Sequence, residues 1–424
     1  MKFAAVLLLV AYAAAYVRYD GYQVIRVIPK NVNELELLMQ IHNDNLDKLS
    51  FWKEPRMVGR FVDIMTTPDF ADDLKSLILM NGMEFTINVE NIQDQIDQER
   101  EAMSSRPGID VEGFNYEIYH TYDEINQWVD EFVATYPTIS SVFTIGSSYE
   151  GRPLRGVKIG TSTATVSSLF LEGGIHAREW ISPATMLYMT QLFADGYGVD
   201  QKTTELVDKL NWYMLPVLNA DGYAHTHDVN GDRMWRKTRS PNDGSTCIGT
   251  DGNRNFDYMW GGEGSSGIPC ASTYRGSHPH SEIEIDSVTK FILQDPSFKA
   301  FVDFHSYGQI WMCPWGYTFD STEHLEYQNT SNKRCVEALT AVHGTEYVYG
   351  QSATMYLTSG GSEDWGYGSA GIVLTHVVEL RGDSFILPAE EIIPSGEETF
   401  AAIRALGDTV LESETLPEAN IRMT

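Results

Sequence analysis

Residues 168–180 read Ser-Leu-Phe-Leu-Glu-Gly-Gly-Ile-His-Ala-Arg-Glu-Trp, and they indicate the class of fold. A short apolar run ends in paired glycines that can bend the chain sharply, and ionisable residues follow at once. Such continuous apolar runs are typical of strands buried on both faces. Further runs of this kind occupy residues 142–145, 212–218, 300–304 and 372–378.

Amphipathic helical patterns lie between these runs, and they could cover both faces of a sheet. They span residues 183–193, 282–293, 335–343 and 400–411, and Thr121 to Glu124 has the sequence of a capping box. The alternation predicts an α/β fold, a three-layer α/β/α domain with a mixed, largely parallel central sheet. We assign it to residues 107–424.

The N-terminal quarter of the chain has a different pattern. Residues 1–15 carry Lys2, an apolar run and small residues, as in a secretory signal peptide. In residues 16–106, short strands alternate with helices, and one helix is expected to have Thr67 as its cap and Pro68 at its first position. These residues predict a small α+β ferredoxin-like unit. Its last part, residues 94–106, is polar, and we expect an exposed connector.

Composition excludes several classes of function. The 424 residues are 42% apolar, which suits a large core, and carry a net charge of −29. This charge repels nucleic acid and anionic membranes, and after residue 15 no apolar stretch is long enough to span a bilayer. We therefore expect a secreted, extracellular protein with no nucleic-acid or membrane partner and no obligate oligomer, hence a monomer.

Ionisable residues that directly follow apolar runs are candidates for an active site, because crevices in α/β sheets lie past the carboxyl ends of strands. His176, Glu179, His305 and Glu379 are in this position. Two imidazoles and one carboxylate form a common catalytic zinc site. The spacing His-x-x-Glu occurs three times in the chain and is not specific alone. Only the pair at 176 and 179 follows a glycine bend after a buried strand.

With these residues the chain resembles the secreted zinc carboxypeptidases of the pancreatic A/B type, from about residue 114 to 405. Residues 16–106 look like the inhibitory pro-segment of that family. The motifs that carry the resemblance are Phe114-Asn115-Tyr116, residues 174–180, residues 233–240, residues 251–255, His305-Ser306-Tyr307, and Ser359-Gly360-Gly361-Ser362 before Asp364-Trp365.

The resemblance implies one Zn²⁺ held by His176, Glu179 and His305, with Asp251 accepting a hydrogen bond from His176. It implies that Glu379 is the general base and that Arg236 stabilises the developing oxyanion.

It also implies a site for the C-terminus of a peptide or protein substrate. Arg254 and Asn253 would hold the terminal carboxylate, because a guanidinium can grip a carboxylate in bidentate fashion. Tyr356 would fold over the substrate, and Arg178 and Tyr307 would line the adjoining subsite.

Glu363 aligns with the floor of the specificity pocket, where A-type relatives have an aliphatic residue and B-type relatives Asp. A buried carboxylate favours a substrate Lys or Arg. We therefore expect release of C-terminal Lys or Arg, and the alternative is an A-type preference for aromatic or aliphatic residues. Gln351 and Thr358 are expected to make the pocket polar.

The resemblance further implies a disulfide between Cys247 and Cys270 and an inactive zymogen, with the pro-segment as intramolecular inhibitor and an activating protease as partner. Cys313 and Cys335 form a second bridge or remain free thiols. Cleavage is expected after Arg100 or by another class of protease, because Pro107 follows Arg106. Glycosylation of Asn329 would require an exposed loop.

Three other classes of protein compete with this hypothesis. A serine hydrolase lacks support because the chain has no Gly-x-Ser-x-Gly elbow. An inactive peptide-binding homologue would need the loss of a ligand or of the base, and all these residues are present. A purely structural protein would not explain a carboxylate clamp beside a metal triad. We expect the setting to be digestion in the gut lumen.

Overall fold

The computed structural model describes residues 17–413 except 46, 56, 105–112 and 163–165. The expected signal peptide, residues 1–15, and the junction at Arg106 and Pro107 lie outside these residues. Within them, no helix has both the length and the apolar character needed to cross a bilayer.

The N-terminal unit is an antiparallel sheet with two helices on one face. Its elements are β1 (Gln23–Val27), α1 (Val32–Asp44), β2 (Leu49–Lys53), β3 (Val62–Thr66), α2 (Ala71–Met80) and β4 (Phe85–Val89). The strand order β2-β3-β1-β4 is that of a ferredoxin-like unit, as predicted. Leu38 of α1 and Leu74 of α2 are buried against Ile25 and Ile64 of the sheet.

Two details of this unit differ from the expectation. Helix α2 begins at Ala71 rather than after a Thr67 cap, because Thr67 accepts the backbone N–H of Phe70 in a turn. Helix α3 (Ile92–Ser104) is not an exposed connector at its start. Its Ile92 and Ile96 are buried in a cluster shared with the larger unit.

The larger unit begins with α4 (Tyr122–Thr135), whose predicted Thr121 capping box is present. The strands are β5 (Ser140–Ser147), β6 (Pro153–Ile159), β7 (Ser168–Gly173), β8 (Asn211–Leu215), β9 (Phe298–Ser306), β10 (Ile310–Cys313), β11 (Val348–Gln351) and β12 (Leu374–Leu380). The helices are α5 (Ile181–Gly196), α6 (Gln201–Lys209), α7 (Ala220–His227), α8 (Ile283–Leu293), α9 (Leu325–His343), α10 (Ser352–Met355), α11 (Ser362–Gly368) and α12 (Ile392–Ser413). Short 3-10 turns lie at Gly252–Arg254 and Ala389–Glu391.

These strands form one mixed sheet in the order β11-β10-β12-β9-β7-β8-β6-β5. The four central strands, β12, β9, β7 and β8, are parallel to one another. Separate apolar clusters on the two faces contain Phe193 and Ile403 on one side and Phe170 and Trp365 on the other. The three-layer α/β/α prediction is therefore confirmed.

The prediction that the run at residues 142–145 is buried on both faces was wrong. Strand β5 lies at the edge of the sheet, and Val142 is 38% exposed.

The cysteines are paired in part. Cys247 and Cys270 form the expected disulfide. Cys313 and Cys335 do not form a second bridge. Both are buried free thiols. The Sγ of Cys313 at the end of β10 instead contacts Asn329 Oδ1 and the carbonyl of Gly350. Asn329 itself lies half-buried in α9, so the exposed loop required for its glycosylation is absent.

Candidate metal centre and substrate cleft

The predicted ligands come together because three parallel strands end at the same edge of the sheet. His176 and Glu179 follow β7, whereas His305 lies near the end of β9 and is paired in register with Glu379 of β12. Gly174 makes the bend after β7 with a φ of +64°, and a side chain there would meet the backbone of the 216–217 segment. Only glycine fits this combination of torsion angle and space.

The ligand atoms of His176, Glu179 and His305 all lie within 4.8 Å of one another. The two Nδ1 atoms are 3.0 Å apart, and the Glu179 carboxylate is 3.0 Å from His176 Nδ1 and 3.3 Å from His305 Nδ1. All three side chains are buried.

Each imidazole turns its other nitrogen to a buried carboxylate. His176 Nε2 lies 2.9 Å from Asp251 Oδ1, and His305 Nε2 lies 2.9 Å from Asp303 Oδ2. This favours a proton on each Nε2, so that both Nδ1 lone pairs face the Glu179 carboxylate. Electron pairs that converge in this way repel one another unless a cation lies among them. Two imidazoles and a carboxylate fit a zinc ion.

Arg236 and Asp251 form an ion pair directly behind the triad. The Arg236 Nη2 donates to Asp251 Oδ2 at 2.9 Å, and Nη1 lies 3.7 Å from Glu179 Oε1. Burial raises the pKa of Asp251, but the charges of Arg236 and His176 outweigh it and hold that pKa well below its ordinary value. Asp251 is therefore anionic, which strengthens its hydrogen bond with the His176 N–H.

Glu379 faces the triad from β12. Its Oε1 accepts the phenol of Tyr356 at 3.2 Å, whereas Oε2 is buried without a hydrogen-bond partner. Burial raises the pKa of Glu379 above its ordinary value, and the charge of Glu179 adds to this. A carboxylate with one unused oxygen and a raised pKa suits proton transfer.

Arg254 and Asn253 lie on the 3-10 turn beside the triad. Arg254 donates through Nε to the carbonyl of Gly264 at 2.8 Å and through Nη1 to that of Asn253 at 2.5 Å. These two bonds fix the guanidinium. Asn253 Nδ2 lies 3.2 Å from His305 Nε2.

Glu363 lies in the first turn of α11 and is 2% exposed. Its Oε1 accepts the hydroxyls of Ser352 at 3.0 Å and Thr358 at 3.3 Å, and Oε2 has no hydrogen-bond partner. The neighbouring Asp364 accepts the backbone N–H groups of Gly316 and Tyr317. Burial and the charge of Glu363 raise the pKa of Asp364 well above its ordinary value.

One cavity brings the predicted residues together. Its lining includes His176, Arg178, Glu179, Arg236, Asn253, Arg254, His305, Tyr307, Tyr356, Thr358, Glu363 and Glu379. Gln351 is not among the lining residues, because its amide donates to the carbonyls of Thr318 and Asp320 and holds that loop.

The N-terminal unit closes this cavity. Phe51, Trp52 and Lys53 of β2 and Arg60 and Phe61 of the loop between β2 and β3 line the same cavity. Lys53 Nζ lies 3.3 Å from the carbonyl of Tyr307 and 4.5 Å from the centre of the Phe61 ring. Burial lowers the pKa of Lys53, partly offset by the charge of Glu379.

The two remaining subsite residues are also covered. The Tyr307 phenol donates to Asp63 at 2.5 Å, and Asp63 binds Arg26 through both oxygens. The Arg178 guanidinium lies 4.0 Å from the centre of the Phe385 ring.

Comparison with known proteins agrees with this geometry. Residues 125–402 match the family model described as zinc carboxypeptidase, and residues 25–99 match the carboxypeptidase activation peptide. The chain belongs to the zinc carboxypeptidase family. It is a zinc-dependent metallocarboxypeptidase with one zinc ion per catalytic domain and the architecture of a zymogen.

Individual relatives within the zinc carboxypeptidase family are similar over nearly their whole length. Carboxypeptidase A2 of Rattus norvegicus is 37% identical over 407 residues, which cover 95% of this chain and 97% of the relative. Carboxypeptidase A1 of Bos taurus is 36% identical over 93% of this chain and 95% of its own length.

Among solved structures, the thrombin activatable fibrinolysis inhibitor aligns with a TM-score of 0.84 and 30% identity, over 93% of this chain and 100% of that one. Carboxypeptidase A from Helicoverpa armigera aligns with a TM-score of 0.84 over 94% of this chain and 99% of that one. At 24% identity, that second likeness shows the fold alone.

Asp303 is the site residue that the sequence analysis missed. It lies two residues before His305 on the same strand, and side chains at this spacing share a face of the sheet. The sequence Asp-Phe-His within an apolar run was a usable signal.

Proposed function

We propose that this zinc carboxypeptidase is a secreted digestive enzyme that releases Lys or Arg from the C-terminus of peptides and proteins. The observation that supports the basic preference is the Glu363 carboxylate, which is buried at the cleft with one oxygen lacking a hydrogen-bond partner. A substrate ammonium or guanidinium group would pair with that oxygen.

Asp364 strengthens the assignment of negative charge to Glu363. Two adjacent buried carboxylates resist double ionisation. Burial and the charge of Glu363 raise the pKa of Asp364 well above its ordinary value, so Asp364 holds a proton more readily than an isolated carboxyl does. The hydroxyls of Ser352 and Thr358 stabilise that charge but do not neutralise it.

We assign the metal to His176, Glu179 and His305. When bound, zinc is a Lewis acid that polarises the scissile carbonyl and lowers the pKa of a water molecule. Glu379 takes a proton from the attacking water at Oε2 and returns it to the leaving amine. Arg236 supplies a fixed positive charge for the developing oxyanion, and its pKa stays above the ordinary value because Asp251 and Glu179 offset the effect of burial.

Arg254 and Asn253 bind the terminal carboxylate in this proposal. Two of the Arg254 N–H groups are already used to fix the guanidinium, and the others remain for the substrate. Tyr356, whose phenol donates a hydrogen bond to Glu379, covers the reacting groups. Arg178 and Tyr307 contact the residue before the scissile bond.

We also propose that residues 16–106 form an inhibitory pro-segment and residues 107–424 the catalytic domain, which acts as a monomer after proteolytic activation. The support is the cleft itself, which Trp52, Lys53 and Phe61 of the N-terminal unit close. These side chains line the same cavity as Glu379, and in this proposal they must move away before a substrate binds there.

An A-type preference for aromatic or aliphatic residues is the second candidate, because the similar curated relatives are carboxypeptidases A. The two candidates differ in whether the Glu363 side chain presents a negative charge to the substrate. An uncompensated buried charge costs about 3–5 kcal/mol, and 1.4 kcal/mol is tenfold, so a charged Glu363 predicts at least about a 100-fold preference for Arg over Phe.

The test is kcat/KM of the activated enzyme on matched peptides ending in Arg, Lys, Phe and Leu. We expect Arg and Lys to be preferred and Glu363→Gln to lose most of that preference. Glu263→Gln, which removes an exposed charge, is the control and should retain it. A preference of the wild-type enzyme for Phe or Leu would establish the A-type alternative.

A further inference from the structure

We propose that Asp303 is a positioning residue for the metal site, which holds His305 in place as Asp251 holds His176. The inference rests on the proposed metal-binding role of His305. It adds a second carboxylate–histidine pair to the site and ties that pair to the helix that carries Glu363.

The geometry that carries the proposal lies on one strand. Asp303 and His305 are two residues apart on β9, so both side chains are on the same face of the sheet. Asp303 Oδ2 lies 2.9 Å from His305 Nε2, while His305 Nδ1 is directed at His176 and Glu179. A carboxylate at Nε2 fixes the tautomer with a free lone pair at Nδ1 and increases the basicity of that nitrogen.

Asp303 is itself held from a second direction. The Ser362 hydroxyl donates to Asp303 Oδ2 at 2.7 Å, and the Ser362 backbone N–H donates to Asn253 Oδ1 at 2.8 Å. Ser362 directly precedes Glu363. The orientation of a metal ligand is thus connected by hydrogen bonds to the residues proposed to bind the substrate.

Stability alone does not account for a carboxylate at this position. Asp303 is fully buried, and a buried charge destabilises a fold unless it is paired. Asp303 is also paired in register with Glu172 of the neighbouring strand β7. Glu172 is fully buried too, and neither oxygen of its carboxylate has a hydrogen-bond partner. Burial and the charge of Asp303 raise the pKa of Glu172 well above its ordinary value. Glu172 therefore holds a proton more readily than an isolated carboxyl does, and Asp303 directs its Oδ2 at His305 Nε2.

The experiment measures zinc affinity of the full-length zymogen by competition with a chelator, together with the rise in melting temperature on adding zinc. Replacing a carboxylate that orients a metal-binding histidine weakens metal affinity by about 10- to 100-fold. We expect this loss for Asp303→Ala and a smaller one for Asp303→Asn, whose amide oxygen can still accept from Nε2. Ser362→Ala, which leaves Asp303 in place but removes one of its hydrogen bonds, should weaken zinc binding less than Asp303→Ala does.

Glu282→Gln is the matched control, because Glu282 is also a buried carboxylate but is bound by the hydroxyls of Thr238, Ser240 and Ser281. It should retain wild-type zinc affinity. The proposal is overturned if a folded Asp303→Ala binds zinc as tightly as the wild type, or if Glu282→Gln loses as much affinity as Asp303→Ala. If Asp303→Ala does not fold, wild-type zinc affinity of both Asp303→Asn and Ser362→Ala overturns it. If the wild-type protein itself binds no zinc at His176 and His305, the proposed metal site is wrong instead.

Discussion

The phenol of Tyr307 in the catalytic unit donates a 2.5 Å hydrogen bond to Asp63 of the N-terminal unit. Arg26 grips the same carboxylate with two bonds, of 2.6 and 2.7 Å. A residue that we assign to substrate binding is thereby used, in the zymogen, to bind the pro-segment. Removing the pro-segment frees Tyr307 and opens the cleft at the same time.

Asp63→Asn should raise the residual activity of the intact zymogen on a small peptide substrate. The amide cannot form the charged pair with Arg26, and loss of a buried charged partner costs several kcal/mol. We expect an increase of at least about tenfold, since 1.4 kcal/mol corresponds to one factor of ten. The exposed Asp73→Asn is the control. Equal activity of the wild type and Asp63→Asn would contradict a blocking role for this contact.

Activation should follow cleavage after Arg100. Arg100 lies within α3, half-buried, directly after Glu99, whose carboxylate binds the buried Arg233 at 2.5 and 3.0 Å. Because cleavage needs an extended segment, part of α3 must unwind first, and we expect slow processing by a trypsin-like protease. N-terminal sequencing of the product should begin at Glu101. A start at Pro107, or normal activation of Arg100→Gln, would exclude this site.

The main strands could be predicted from the sequence because they are continuous apolar runs. The strands that were missed are β2, β6, β10 and β11, which are short or mix polar and apolar residues. Strand β6, Pro-Leu-Arg-Gly-Val-Lys-Ile, carries charged side chains near the open edge of the sheet. Its pairing depends on tertiary contacts that no local pattern shows.

More of the site than of the fold could be predicted from the sequence, because the type of each site residue already indicates the chemistry that it can perform. The ligands lie after or near the ends of buried strands, and parallel strands bring these ends together. Asp303 was missed because it lies inside the apolar run at residues 300–304, whereas the predicted residues follow such runs or lie at their ends. The free thiols of Cys313 and Cys335 could not be predicted, because pairing depends on distances between α9 and β10 that spacing along the chain does not determine.

Glu379→Gln should abolish turnover but leave zinc in place. Glutamine keeps the shape and can still accept the Tyr356 phenol, but it cannot take a proton at Oε2. We expect kcat to fall by about 10²–10⁴-fold, the usual contribution of a general base. Metal analysis of the purified variant should still give one zinc per chain. Substantial activity in a zinc-loaded Glu379→Gln would mean that another group is the base.

Arg254→Lys should weaken recognition of the free C-terminus. Lysine is a point charge that cannot make two parallel bonds to a carboxylate. The loss of a charged hydrogen bond, about 1.5–3 kcal/mol, predicts a fall in kcat/KM of about 10- to 150-fold. Peptides with an amidated C-terminus should be poor substrates for the wild type and show little further loss with the variant. Equal losses on both peptides would argue against a carboxylate clamp.

Glu284 should make the stability of the protein depend on pH. It is 1% exposed, accepts the Tyr149 backbone N–H at 2.9 Å, and has a pKa raised by burial to about 7. Because the folded-state pKa lies above the unfolded value of about 4.3, the stabilisation is complete at acid pH and is lost as pH rises to about 7.

The loss for Glu284 is up to about 4 kcal/mol, since each unit of pKa shift is worth about 1.4 kcal/mol. Urea unfolding at pH 5 and pH 8 should show that Glu284→Gln stabilises the protein much more at pH 8 than at pH 5, because pH 5 lies near the lower end of the range between the two pKa values. The same difference from wild type at both pH values would show that Glu284 does not titrate in this range.

The most direct measurement is an anomalous diffraction map of crystals of the zymogen, collected at the zinc absorption edge. We expect one peak per chain, about 2.0–2.2 Å from His176 Nδ1, His305 Nδ1 and a Glu179 oxygen, with Asp251 and Asp303 on the far nitrogens of the two rings. A zinc-loaded, active protein whose only peak lies away from these three side chains would contradict the account.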